Sequence, residues 1–109
     1  MTSSQPLRGQ VYRVALGSIG LKPYVIVSNN RRNRLLDSAL AVRVTTTDRS
    51  NIPTAVPLNS DDPLVGYALA DDIVEIYDDE LEAGTYLGAL SPQSILNLNT
   101  ALMQALGIP

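Results

Sequence analysis

Cysteine and histidine are both absent from the 109 residues. Without cysteine there can be neither disulfides nor thiolate metal sites. Losing histidine removes the commonest general acid/base, the usual zinc ligand and every Ser-His or Cys-His nucleophile pair. No apolar run approaches the roughly 20 residues that cross a membrane. The polar start Thr2-Ser3-Ser4-Gln5 lacks the charged and apolar parts of a secretory signal. The expectation is a cytosolic protein without cofactor or metal. Its length allows one domain, 1–109, with a flexible leader over 1–7.

What charge there is lies unevenly. All eight Lys/Arg fall between Arg8 and Arg49, opposed there only by Asp37 and Asp48, so residues 1–54 carry +6. The other nine acids give residues 55–109 a charge of −9. Such asymmetry suggests a polyanion-binding surface on one side; if the halves interleave in space, the charges merely mix.

The densest feature is Lys22 to Arg34. Pro23 biases Lys22 toward an extended backbone, which puts the chain's only lysine at the mouth of a strand. Tyr24 to Val27 suit a strand covered on both faces, and Asn29-Asn30 stop it. The loop Asn29 to Asp37 then carries Arg31, Arg32 and Arg34, and nothing in it demands a helix. Cations at both ends of a buried strand are a way to hold positive charge rigidly against a polyanion.

Around this stretch the pattern predicts a first strand over Gly9–Leu16, a tight Gly17–Gly20 connection and a second strand over Pro23–Ser28. A third strand over Ala39–Thr47 sets Leu40, Val42 and Val44 toward the core. Arg43 and Thr45 then share the more exposed face with Ala39 and Ala41. Thr54–Leu58, between Pro53 and Pro57, reads as an edge strand. Gly66–Ala70 and Ile73–Tyr77 read as two short strands, Asp78–Gly84 as an acidic turn or a single helical turn, and Thr85–Leu90 as a last strand. Ser91-Pro92 opens a helix closed by Gly107, with Ile95, Leu98, Leu102 and Ala105/Leu106 as its apolar stripe. Short strands and one C-terminal amphipathic helix predict a mainly β (α+β) fold, a small, strongly bent antiparallel sheet or barrel. Asp71 and Asp72 raise the thought of a metal site, but no third ligand is evident, and that reading is rejected.

Several segments, in order, resemble the MazF/PemK toxins of type II toxin–antitoxin systems. They are Arg8-Gly9-Gln10-Val11-Tyr12, Lys22-Pro23 through Ser28-Asn29, Val44-Thr45, Pro53 through Leu58, Ala70-Asp71-Asp72-Ile73 and Leu87 through Pro92. The short mycobacterial members are most alike, sharing the Arg-Gly-Gln-Val-Tyr-Arg opening and the Thr-Thr-Thr stretch. The resemblance implies an SH3-like barrel of CcdB/PemK type, assembled as a homodimer. It further implies a metal-independent endoribonuclease that cuts single-stranded RNA, held inactive by a cognate antitoxin whose acidic tail occupies the RNA groove. The family usually has arginine where Lys22 stands, a longer loop than Leu16–Leu21, and Asp-Gln-Ile at Asp71-Asp72-Ile73.

On that likeness Lys22 and Thr45 match the two catalytic positions, the first as charge stabiliser and proton donor, the second as a hydroxyl on a phosphate oxygen. Arg43 and Thr46 are candidate RNA contacts beside them; Arg31, Arg32, Arg34 and Arg13 would supply electrostatic attraction. Asp71 and Asp72 could accept from base amino groups. For each the plainer alternative is a solvated charge or a strand residue. Two rival functions stand beside nuclease activity. One is a CcdB-like gyrase poison, weakened because the end Ala105-Leu106-Gly107-Ile108-Pro109 carries no tryptophan. The other is a silent SH3-like interaction module, for which lysine in place of arginine is the argument.

Overall fold

The structure, a computed structural model, describes residues 5–109. Strand β1 (Gln10–Leu16) passes through one 3₁₀ turn, Gly17–Ile19, into β2 (Gly20–Ile26). Gly17 and Gly20 hold φ at +55° and +88°, so this tight reversal depends on residues without a Cβ. Then come α1 (Asn30–Leu36), β3 (Ser38–Thr45), β4 (Ala55–Pro57), β5 (Tyr67–Tyr77), α2 (Asp78–Ala83), β6 (Thr85–Ala89) and α3 (Pro92–Leu106). The strands form one antiparallel sheet in the order β4-β5-β3-β2-β1-β6. This is the expected mainly β fold with its C-terminal helix, and β4 lies at an edge where its flanking prolines cost no ladder bonds. Of the expected leader, residues 1–4 lie outside the described residues. Gln5 to Leu7 are tied down: Gln5 Nε2 donates to the Asn30 carbonyl at 2.7 Å and the Leu7 amide to Gln10 Oε1 at 2.8 Å.

Three local features differ from the sequence expectation. Strand β2 starts at Gly20, because its ladder with β1 runs from Val11–Val25 to Leu16–Gly20; Lys22 therefore sits within a strand and not at its mouth. The basic stretch after β2 is a helix. Asn29 Oδ1 accepts from the amides of Arg31 and Arg32, at 2.8 and 3.2 Å, and Asp37 ends the helix in the left-handed region at φ +54°. A strand-stopping asparagine is equally an N-cap. The two strands expected over 66–77 are one, β5, interrupted by a bulge. Val42 pairs with Ile73 but Val44 with Ala68, so Asp71 and Asp72 lie in the excess length. The acidic stretch takes the helical alternative, as α2, with Glu80 Oε1 accepting from the Tyr77 amide at 2.9 Å.

The sheet buries both faces. On one, Val11, Val25, Val42, Val44 and Val56 pack under Leu98, Ala101 and Leu102 of α3. Each fully buried leucine there contributes about 1.5–3 kcal/mol relative to exposure. On the other, Val14, Tyr24, Ile26, Ala39, Ala41 and Ile76 pack with Leu81 of α2. The Ala39–Ala41 half of the face expected to be exposed is thus core, because β3 is central and covered on both sides. Helix α3 begins as expected: the Ser91 hydroxyl accepts from the Ser94 amide, Pro92 follows, and Gly107 closes it at φ +71°. Asp62 clamps this end to the β4–β5 loop, accepting from the Ser91 amide at 2.7 Å and from Ser94 Oγ at 2.6 Å. Leu106, at the end of the expected stripe, is exposed.

Candidate active site

The face that carries Tyr24 and Ile26 also carries Lys22, by the alternation of a strand. Across the β2–β3 ladder Ile26 pairs with Ala41 and Tyr24 with Arg43. Extending that register by two residues sets Lys22 across from Thr45, on the same face. The ladder itself stops at Tyr24–Arg43, beside Pro23, which has no N–H to donate. Strand β2 stays paired with β1 down to Gly20, while β3 stays paired with β5 through Thr45–Tyr67. The sheet therefore parts between β2 and β3 in a notch with Lys22 on one lip and Thr45 on the other.

Lys22 and Thr45 are half-buried. Thr45 Oγ1 accepts from the Thr47 amide at 3.2 Å, which orients the oxygen and leaves its own proton free to donate. Arg43 gives Nε to Asp72 Oδ2 at 2.9 Å and keeps its terminal amino groups for another acceptor. Tyr24 is 1% exposed and lies among these charges, its hydroxyl buried with no hydrogen-bond partner among the described residues. Burial raises its phenol pKa, the Asp72 carboxylate adds to this, and the Arg43 guanidinium opposes it. Gly66, at φ +133°, lies under the Thr45 lip; a Cβ there would run into the Thr45 carbonyl oxygen.

The other sequence candidates are distributed unequally. Asp72 joins the notch through Arg43, whereas Asp71 Oδ2 accepts from Thr54 Oγ1 at 2.7 Å on the bulge. Thr46 is exposed just past β3. Arg13 alternates to the opposite face, in register with Pro23 and Thr85, and is exposed there. Arg31 and Arg34 are exposed on α1, beyond the far end of β2 from Lys22. Arg32 is spent on structure: Nη1 donates to the Ser38 carbonyl at 3.0 Å and Nη2 lies 3.5 Å from Glu75 Oε2. A cavity of about 500 Å³, lined by Tyr12, Arg34, Asp78, Leu81 and Tyr86 among others, contains none of Lys22, Arg43 and Thr45. Neither Tyr24 nor Gly66 is marked as a site residue by the sequence: a phenol inside the run Tyr-Val-Ile-Val reads as core, and Gly66 reads as the start of a short strand.

An antiparallel sheet packed under a C-terminal helix, with Lys22 and Thr45 on the two strands that part, defines a small, mainly β protein. The chain belongs to the family described as the PemK-like, MazF-like toxins of type II toxin-antitoxin systems, which matches it over residues 7–106. It is 54% identical over 104 residues to "Endoribonuclease MazF1" of Mycobacterium bovis and to "Endoribonuclease MazF4" of Mycobacterium tuberculosis, covering 95% of this chain and 95% of each relative. Among solved structures it is similar to an "Endoribonuclease in complex with its cognate antitoxin from Mycobacterial species". That likeness has a TM-score of 0.89 and 54% identity over 95% of this chain and 97% of the other. The MazE-MazF complex of Deinococcus radiodurans (Form-III), at 18% identity and a TM-score of 0.79 over 97% and 100% of the two chains, shares the fold. The chain is thus a MazF-type and not a CcdB-type protein. No helix among the described residues is long and apolar enough to cross a membrane.

Proposed function

We propose that this chain is an endoribonuclease toxin of the cytoplasm that cuts single-stranded RNA without a metal, acts as a homodimer and is silenced by a cognate antitoxin. The whole chain, 1–109, serves as the one toxin domain. The observation that carries this reading is that the β2–β3 ladder ends at Tyr24–Arg43, and the same register carried two residues further sets Lys22 across from Thr45. The nucleophile comes from the substrate. A 2′-hydroxyl gives its proton to water as its oxygen attacks the neighbouring phosphorus, the bond to the 5′-oxygen breaks, and a 2′,3′-cyclic phosphate and a 5′-hydroxyl result. Lys22 supports the negative charge that grows on the phosphoryl oxygens and gives a proton to the departing 5′-oxygen. The Thr45 hydroxyl donates to one phosphoryl oxygen; a preorganised donor of this kind is worth about 3 kcal/mol at a developing oxyanion. The terminal amino groups of Arg43 can hold the same or the next phosphate as a fork. Asp71 and Asp72, on the bulge beside them, accept from base amino groups and so bear on which sequence is cut.

The antitoxin reading follows from the same charge. A groove that attracts phosphates also attracts an acidic peptide tail, which lacks the 2′-hydroxyl and cannot react. The structural relative in complex with its cognate antitoxin, at 54% identity, supports that partner. To test the activity, the purified protein is incubated with mixed-sequence RNA in excess EDTA and the new ends are mapped. Cleavage is expected to persist in EDTA and to stop when the 2′-hydroxyl beside the cut is replaced by hydrogen. Cutting that needs added metal, or that continues without that hydroxyl, would refute the mechanism.

A further inference from the structure

We propose that Tyr24 is a positioning residue for RNA cleavage, its phenol receiving Asp72 when the phosphate takes Arg43 away. This rests on the nuclease reading above. In the free protein Arg43 and Asp72 hold each other at 2.9 Å. A phosphate drawn to the free terminal amino groups pulls the guanidinium from Asp72, whose side chain is 41% exposed, and leaves that carboxylate with water alone beside the incoming negative charge. Tyr24 is placed to prevent that. It lies directly across the ladder from Arg43, on the same face, close enough for both Arg43 and Asp72 to act on its phenol. Yet its hydroxyl bonds to neither, nor to any other group among the described residues.

A buried hydroxyl without a partner is costly, and proteins rarely keep one for stability. The apolar neighbours Ile26, Ala41 and Val14 would be served equally well by phenylalanine. The phenol makes sense if its bond forms in the other state. When Arg43 swings its free amino groups to the phosphate, Tyr24 O–H donates to Asp72 and replaces the lost bond. The carboxylate stays hydrogen-bonded, and the guanidinium is handed over at little cost. Because the phosphoryl oxygens gain charge toward the transition state, the benefit grows along the reaction and falls mainly on turnover.

Tyr24→Phe separates this role from a structural one. The variant is expected to melt at the temperature of the parent or slightly above, to bind a 2′-deoxy oligonucleotide about two- to threefold more weakly, and to lose roughly tenfold in kcat, the value of one hydrogen bond. In an Asp72→Ala background the same change should cost under about twofold, because no acceptor remains at residue 72. A readout independent of cleavage is the ¹³Cζ resonance of labelled Tyr24, which should move when the parent protein binds the 2′-deoxy oligonucleotide and stay still in Asp72→Ala. Parental kcat in Tyr24→Phe, losses that simply multiply in the double variant, a fall in melting temperature that matches the fall in activity, or a silent Tyr24 resonance would each overturn the proposal. If that resonance moves while RNA is left uncut, the nuclease reading fails and the exchange of partners at Asp72 stands.

Discussion

The two ends of β2 carry similar residues and do opposite work. At the far end Ser28 and the α1 helix are locked together. Asn33, 1% exposed, accepts from Ser28 Oγ and gives its amide to the carbonyls of Ser28 and Pro6, while Ser28 Oγ receives the Leu40 amide at 2.8 Å. Arg32 is held there by Ser38 and Glu75. At the near end Lys22 has no ladder partner on β3, and the sheet is parted. Polar groups satisfied by one another stabilise; polar groups left facing a gap are available for a ligand. Of the cations near the two ends of the strand, Arg32 is anchored while Lys22 lies beside the gap and Arg31 and Arg34 are exposed, and count alone does not tell them apart.

This contrast can be broken at either end. The largest effect is expected at the notch. Lys22→Met should lower cleavage by more than about 10²-fold, and Thr45→Ala by roughly 10²-fold, with melting temperatures near the parent's; Lys22→Arg should keep part of the activity, since the charge remains while the geometry changes. Parental turnover in Lys22→Met would remove that residue from the mechanism. At the anchored end the outcome reverses. Asn33→Ala should cost about 2–3 kcal/mol in urea unfolding, because Ser28 and the Pro6 carbonyl lose their buried partner, while each folded molecule still cuts. A smaller effect is expected of Arg31→Ala: RNA affinity falls by less than about threefold at low salt and the difference fades as salt rises.

The slightest effect is one of pH and touches neither end. Burial works against ionising Asp62, but hydrogen bonds from Ser94, Asn59 and Ser91 outweigh it and hold its pKa below the ordinary carboxylate value. Its contribution to stability is therefore complete above the unfolded pKa of about 3.9 and is lost as pH falls from there through the folded value. Ser94→Ala should flatten that acid-side loss in a series of melting curves. An unchanged slope would show that the clamp on α3 does not depend on the charge.

Much of this was legible in the sequence, and the gaps have physical causes. Helix α3 was plain from Ser91, Pro92 and Gly107, since caps are local chemistry. The edge position of β4 followed from its prolines. Asn29 was ambiguous, because a residue that ends a strand also caps a helix. Asp71-Asp72 resembled a break between strands, whereas pairing with β3 makes it a bulge within one. Lys22 stands out as the only lysine, held before Pro23, whereas Thr45 reads as an ordinary strand threonine without the family likeness. Their relative placement follows from the β2–β3 register, a non-local quantity that neither residue's neighbours encode. Tyr24 stayed hidden because a phenol's oxygen is invisible in an apolar run.

The contact between Gly66 and the Thr45 carbonyl bears on how such a toxin would be lost by mutation. A cell harbouring it without its antidote survives only by acquiring a defect, and the obvious targets touch the substrate. Yet any change that gives residue 66 a side chain must displace the hydroxyl-bearing lip from behind. Survivors collected under those conditions should include alleles at this codon, in a protein that still folds and still meets its inhibitor.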